Sequence, residues 1–111
     1  MIKERRVNPT EKMSRQTEAF QELIQLMELE ALEVNMFRGV SRDIGTERVF
    51  GGQILAQALL AASHTVEGRS AHSLHGYFLR AGDHKAPVVY NVEHTREGRS
   101  FCSRRVSAIQ H

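Results

Sequence analysis

Tryptophan is absent from this 111-residue chain, cysteine occurs once, proline twice, and aromatic side chains make up only 6%. The lone cysteine, Cys102, cannot close an internal disulfide, which excludes a small disulfide-held scaffold and suits a reducing compartment such as the cytoplasm. Long apolar runs are missing too. The most apolar stretch, 54–62, covers nine residues, where a bilayer-crossing helix needs about 20. The opening MIKERRVNPTEKM is charged and lacks the apolar core of a secretory signal. Charge of one sign is also scarce. Twelve arginines and three lysines are spread among thirteen acids for a net charge of +2, and no basic stripe interleaves with aromatics, which excludes an evident nucleic-acid surface.

The remainder is an ordinary soluble composition, 41% hydrophobic and 25% charged. A chain of this length fits one domain and buries somewhat under ~70% of its unfolded surface, enough for one modest core. Residues 1–13 are polar, without period, and read as a flexible leader; residues 14–111 read as the folded unit. From Ser14 to Leu32 an amphipathic helix is expected, because Phe20, Leu23, Ile24 and Met27 recur at i, i+3, i+4 and i+7. Ser14 suits its N-cap.

LEVNMFRGVSRD, 32–43, alternates loosely and predicts a first strand. The next helix, 52–64, differs in kind: Ile54, Leu55, Ala58, Leu59, Leu60, Ala61 and Ala62 cover nearly its whole circumference, as in a helix surrounded by protein. Three strand-like runs follow, HSLHGYFLR (72–80), PVVYNVEHT (87–95) and FCSRRVSAI (101–109), the last two joined by a hairpin around Gly98. The order of helix, strand, buried helix and antiparallel strands predicts an α+β fold in which one helix is wrapped by one sheet.

MFRG (36–39), RVFGGQILAQAL (48–59), HSLHGYFLRAGD (72–83) and REGRSFCSRRVSAIQ (96–110) together resemble the N-terminal half of the type II acyl-CoA thioesterases, a family built from two hot-dog domains. The likeness runs in order from about residue 20 to the end. It implies a hot-dog fold, a central helix wrapped by a curved antiparallel sheet, incomplete here at its C-terminal end. It also implies hydrolysis of fatty acyl-CoA to free fatty acid and CoA by water, without metal or cofactor. The family's catalytic Asp, Thr or Ser, and Gln sit mainly in the second hot-dog domain, which this sequence does not contain. The expected partners are acyl-CoA and either a second copy or a second hot-dog domain. A non-catalytic module that holds acyl-CoA or pairs subunits is the alternative, and a hot-dog dehydratase a third reading. Ala81 stands where the family usually has proline, which loosens that turn.

Phe50, Gly51, Gly52 and Gln53 are the candidate substrate-binding residues. A thioester carbonyl becomes an oxyanion when water attacks, and free N–H groups at a helix N-terminus are pre-aimed donors for it. The glycines either admit the acyl group closely or only permit tight passage over the helix end. Gln53 and Gln57, at i and i+4, share one face of the helix. Gln53 is the functional candidate and Gln57 the structural one. His72, at the head of HSLH, is the candidate catalytic residue, as base or hydrogen-bond donor, with a structural role as the competing assignment. His72 and His75, three apart on a strand, point to opposite faces and cannot share a metal ion. Cys102 lacks a readable base and is assigned to packing. Arg104 or Arg105 either pairs with CoA phosphate or is solvated.

Overall fold

A computed structural model describes residues 9–41 and 51–111, with side chains from Arg15 onward. Pro9 opens helix α1 (Pro9–Leu26), at a position where its missing N–H costs nothing because the first helical amides have no carbonyl to meet. Residues 9–13 are therefore helical rather than part of a loose leader, and Ser14 lies inside the helix instead of capping it. The helix stops at Leu26 rather than Leu32. There the Met27 N–H is shared between the Leu23 and Ile24 carbonyls, at 3.2 and 3.0 Å, which tightens the last turn. The expected apolar stripe is present, but Phe20, Leu23 and Ile24 remain exposed.

The single strand expected over 32–43 is instead a hairpin. Strand β1 (Glu30–Glu33) pairs antiparallel with β2 (Met36–Gly39), and Val34 and Asn35 form the turn between them. The turn is held by β3, where the Val92 N–H donates to the Asn35 carbonyl at 2.8 Å and the Asn35 side chain bonds to His94. Residues 42–50, including Phe50, lie outside the described residues. Helix α2 (Gly51–Ser63) comes next, followed by β3 (Val88–Glu97) and β4 (Cys102–Ile109), which form the long hairpin around Gly98 that the spacing predicted. The sheet is antiparallel in the order β1-β2-β3-β4.

Period-two alternation along β3 sends Val88, Tyr90 and Val92 into the core, where Phe37 and Ala61 join them and Leu29, Ile54, Ala58 and Val106 pack at the margin. Helix α2 lies on this face of the sheet. Its buried stripe is Gln53, Gln57 and Ala61, whereas Leu55, Leu59 and Leu60 are only half-buried. Enclosure on all sides is not reached within this chain because the sheet is open. HSLHGYFLR, expected as a strand, makes no ladder with any described strand, and residues 71–80 are all exposed. A strand exists only with a backbone neighbour. The resulting particle is long, 63 × 32 × 25 Å with a radius of gyration of 17.7 Å, against about 13 Å for a compact domain of this length.

Candidate functional site

Three places along α2 carry polar chemistry. At its N-terminal end, Gly51 is half-buried under the ring of Phe78: a Cβ built on Gly51 would lie 3.1 Å from that ring. Gly52 is exposed and Gln53 buried in the stripe that faces the sheet. The first turn has no acidic residue of its own. His72 lies elsewhere. Its ring sits 5.5 Å from that of Phe101 at the β3–β4 turn. The residue of that segment that reaches the first turn of α2 is Phe78. The ring contact of His72 is thus with the β3–β4 turn, and the ring against Gly51 is that of Phe78.

At the middle of α2, Gln57 is a clasp. Its Nε2 donates to the carbonyls of Leu26 and Val40, each at 2.8 Å, and its Oε1 accepts from the Tyr90 hydroxyl at 2.6 Å. One side chain thus ties α2 to the end of α1, the residue after β2 and the first part of β3. Gly39 makes room for it, since a Cβ there would come within 2.5 Å of Gln57 Oε1. Both amide N–H groups and the carbonyl oxygen are used, as a buried amide requires. Burial also pushes the Tyr90 hydroxyl pKa upward, so it stays a neutral donor. The structural assignment of Gln57 made from the sequence therefore holds.

Beyond the C-terminal end of α2 lies an open groove of about 470 Å³ whose lining includes Asn35, His64, His94, Glu97, Cys102 and Arg104. Arg104, only 7% exposed, neither faces solvent nor is free for a phosphate. Its Nε donates to Thr65 Oγ1 at 2.8 Å and one terminal nitrogen to the Thr65 carbonyl at 3.2 Å, while the Glu97 carboxylate pairs with it. A cation here complements the carbonyl end of the helix. His94 bridges Glu97 Oε1, at 2.9 Å, and Asn35 Oδ1, at 2.8 Å, and so fastens the β1–β2 turn to β3. His64 stacks on Phe37 with ring centroids 5.4 Å apart. Neither histidine carries a pattern in the sequence, because Phe37 and Asn35 are distant from them along the chain and only Glu97 is near. Cys102 is half-buried at the groove edge. Among the described residues no group of three or more His, Cys, Asp or Glu is placed to hold a metal ion.

The hydrogen bond from His94 and the Arg104 guanidinium hold the Glu97 carboxyl below the usual carboxylate range. A depressed folded-state value stabilises the fold above the unfolded carboxyl pKa of about 4.3. That contribution disappears as pH falls through the lower, folded value. Thermal melts of the wild type and Glu97→Gln between neutral pH and pH ~3 should therefore show a melting-temperature gap that closes on acidification. A gap independent of pH would assign Glu97 no ionic role.

Residues 40–111 match the family described as the acyl-CoA thioesterase N-terminal domain. The chain belongs to that family. It is 51% identical over 90 residues to acyl-CoA thioesterase 2 of Haemophilus influenzae, covering 80% of this chain and 32% of that protein. It is 52% identical over 87 residues to human acyl-coenzyme A thioesterase 8, covering 78% of this chain and 27% of that protein. Among solved structures, a tesB protein of Mycobacterium avium subspecies paratuberculosis superposes with a TM-score of 0.78 at 44% identity, over 81% of this chain and 37% of that one. An acyl-CoA thioesterase II from Mycobacterium marinum gives 0.71 at 47% identity, over 81% and 33%. The chain spans about a third of the length of these relatives. As an acyl-CoA thioesterase N-terminal domain it has the hot-dog arrangement of α2 against an antiparallel sheet, with the sheet left open. No helix among the described residues is long and apolar enough to cross a membrane.

Proposed function

We propose that this chain is the N-terminal hot-dog half of an enzyme that hydrolyses fatty acyl-CoA to fatty acid and CoA in the cytoplasm. The family match over residues 40–111 carries this reading. The thioester carbonyl is set against the first amides of α2, at Gly51, Gly52 and Gln53, with Phe50 before them and the Phe78 ring beside them. Attack by water moves charge onto that oxygen, and helix-terminal N–H groups stabilise it without reorganising. His72 is proposed as the polar residue at the far end of the same segment. The catalytic carboxylate, hydroxyl and amide are supplied by a second domain, and no cofactor enters the reaction.

A chimera tests the reading. Residues 20–111 of this chain replace the matching part of the Haemophilus influenzae relative, and thiol release from a fatty acyl-CoA is measured. Turnover is expected, with Gln53→Ala and His72→Ala lowering kcat/KM by about ten-fold, ~1.4 kcal/mol, which is more than they lower stability. A folded chimera that binds acyl-CoA saturably but releases no thiol would favour the alternative, a binding or pairing module. The open edge of β4 and the exposed segment 71–79 are the observations that favour pairing.

A further inference from the structure

Apolar contacts hold a helix on a sheet without fixing its place, because the burial of apolar area has no preferred direction. Ile54 and Ala58 pack on the core in that way. Gln57 does not. It is wholly buried and holds three groups at 2.6 to 2.8 Å, and a hydrogen bond weakens steeply once its distance or angle leaves a narrow range. Apolar burial by itself calls for no amide here, since an amide is costly to take out of water. What the amide adds is a fixed depth and rotation of α2, much as one buried asparagine fixes the register of a coiled coil.

A second fixed point lies just past the other end of the helix, where Arg104 bonds to the Thr65 hydroxyl and carbonyl at 2.8 and 3.2 Å. At about 1.5 Å per residue, Gln57 stands about 12 Å from Thr65 along the axis and Gly51 about 21 Å. A helix pivoting about its Arg104 end therefore magnifies nearly two-fold, at its first turn, any displacement at Gln57. A slip of about 0.3 Å at the clasp becomes about 0.5 Å at Gly51, which is the precision a reacting constellation needs. The contacts on the opposite side of the helix, Leu55 against Gly76 and the Phe78 ring against Gly51, are apolar and can adjust to such a slip.

We infer that Gln57, held by the Tyr90 hydroxyl, is a positioning residue: it sets where the backbone N–H groups of Gly51, Gly52 and Gln53 stand, and so how well they meet an oxyanion. It does this without touching the substrate. The inference rests on the reading that the thioester lies at the first turn of α2. Binding of the acyl chain and CoA is spread over many contacts and tolerates a shift of about half an ångström, whereas stabilisation of charge on one oxygen does not. Loss of the clasp therefore shows in kcat rather than in KM.

In the chimera described above, Tyr90→Phe frees Gln57 Oε1 and should lower kcat about five-fold, with KM for the fatty acyl-CoA kept within about two-fold. Val92→Ala is the control. It removes buried apolar volume two positions along β3 and no side-chain hydrogen bond. It should lower the melting temperature at least as far while kcat stays within about two-fold. Nuclear magnetic resonance of the 111-residue chain gives a readout that needs no turnover. In Tyr90→Phe the amide resonances of Gly51, Gly52 and Gln53 should move more than those of residues 61–63, and in Val92→Ala they should not. Equal kcat losses in the two variants, or amides at 51–53 that stay in place in Tyr90→Phe, would overturn the inference and leave the clasp a matter of stability alone. A parent chimera that releases no thiol would sink the proposed function, and the amide shifts would still decide whether Gln57 positions the first turn.

Discussion

Gln57→Leu is expected to destabilise the chain by about 3 kcal/mol or more, although leucine fills nearly the same space. The substitution strands the Leu26 and Val40 carbonyls and the Tyr90 hydroxyl, all of which now bond to this one amide. A buried group left without a partner costs about 1–3 kcal/mol, which applies in full to the Tyr90 hydroxyl and in part to the two carbonyls, whose bonds are only part-buried. At about 4–8 °C per kcal/mol for a domain near this size, the melting temperature should fall by roughly 12 °C or more. Tyr90→Phe is the milder companion. It removes one donor and leaves only Gln57 Oε1 short, at about 1–2 kcal/mol. Equal melting of Gln57→Leu and the parent would mean that the clasp is dispensable and that apolar packing alone docks α2.

Thiol release by the isolated 111-residue chain is expected to stay within a few-fold of the rate without protein, against ~10 per second for an ordinary enzyme. The reason lies in what surrounds the first turn of α2. It offers backbone donors but no acidic residue, and the nearest side chain from segment 72–80 is the ring of Phe78 rather than an imidazole. No side chain of that turn itself can take a proton from a water molecule. The chain also spans about a third of its relatives' length. An acyl-CoA assay with thiol detection, run on the isolated 111-residue chain, decides the matter. Turnover near the ordinary enzymatic rate would locate a complete active site within these residues.

Helix α2 and the β3–β4 hairpin were legible in the sequence because their signals are local: an apolar run after paired glycines, period-two alternation, and a glycine turn of hairpin length. What burial does to that helix was not legible. Apolar coverage all round predicts leucines at the centre, yet the most buried stripe is Gln53, Gln57 and Ala61. Gln57 is tolerated there only because three groups separated from it by 17 to 33 positions converge on its amide. Arg104 escaped for the same reason. On β4 it alternates like a surface residue, and only the hairpin register and the end of α2 bring Thr65 and Glu97 around it.

By itself the sequence determined the α+β class, the positions of α2, β3 and β4, and the family, because these rest on patterns of neighbouring residues and on motifs in order. Only the tertiary structure decided that 32–43 folds back as a hairpin, that 72–80 is not a strand within this chain, and that α1 leaves its apolar side exposed. Each of these depends on whether a partner surface is present. Strand propensity in HSLHGYFLR is satisfied only by a backbone neighbour on its edge, and an amphipathic stripe is buried only where a second surface meets it. Propensity is written along the chain, whereas hydrogen-bond partners and buried area come from residues far apart in it.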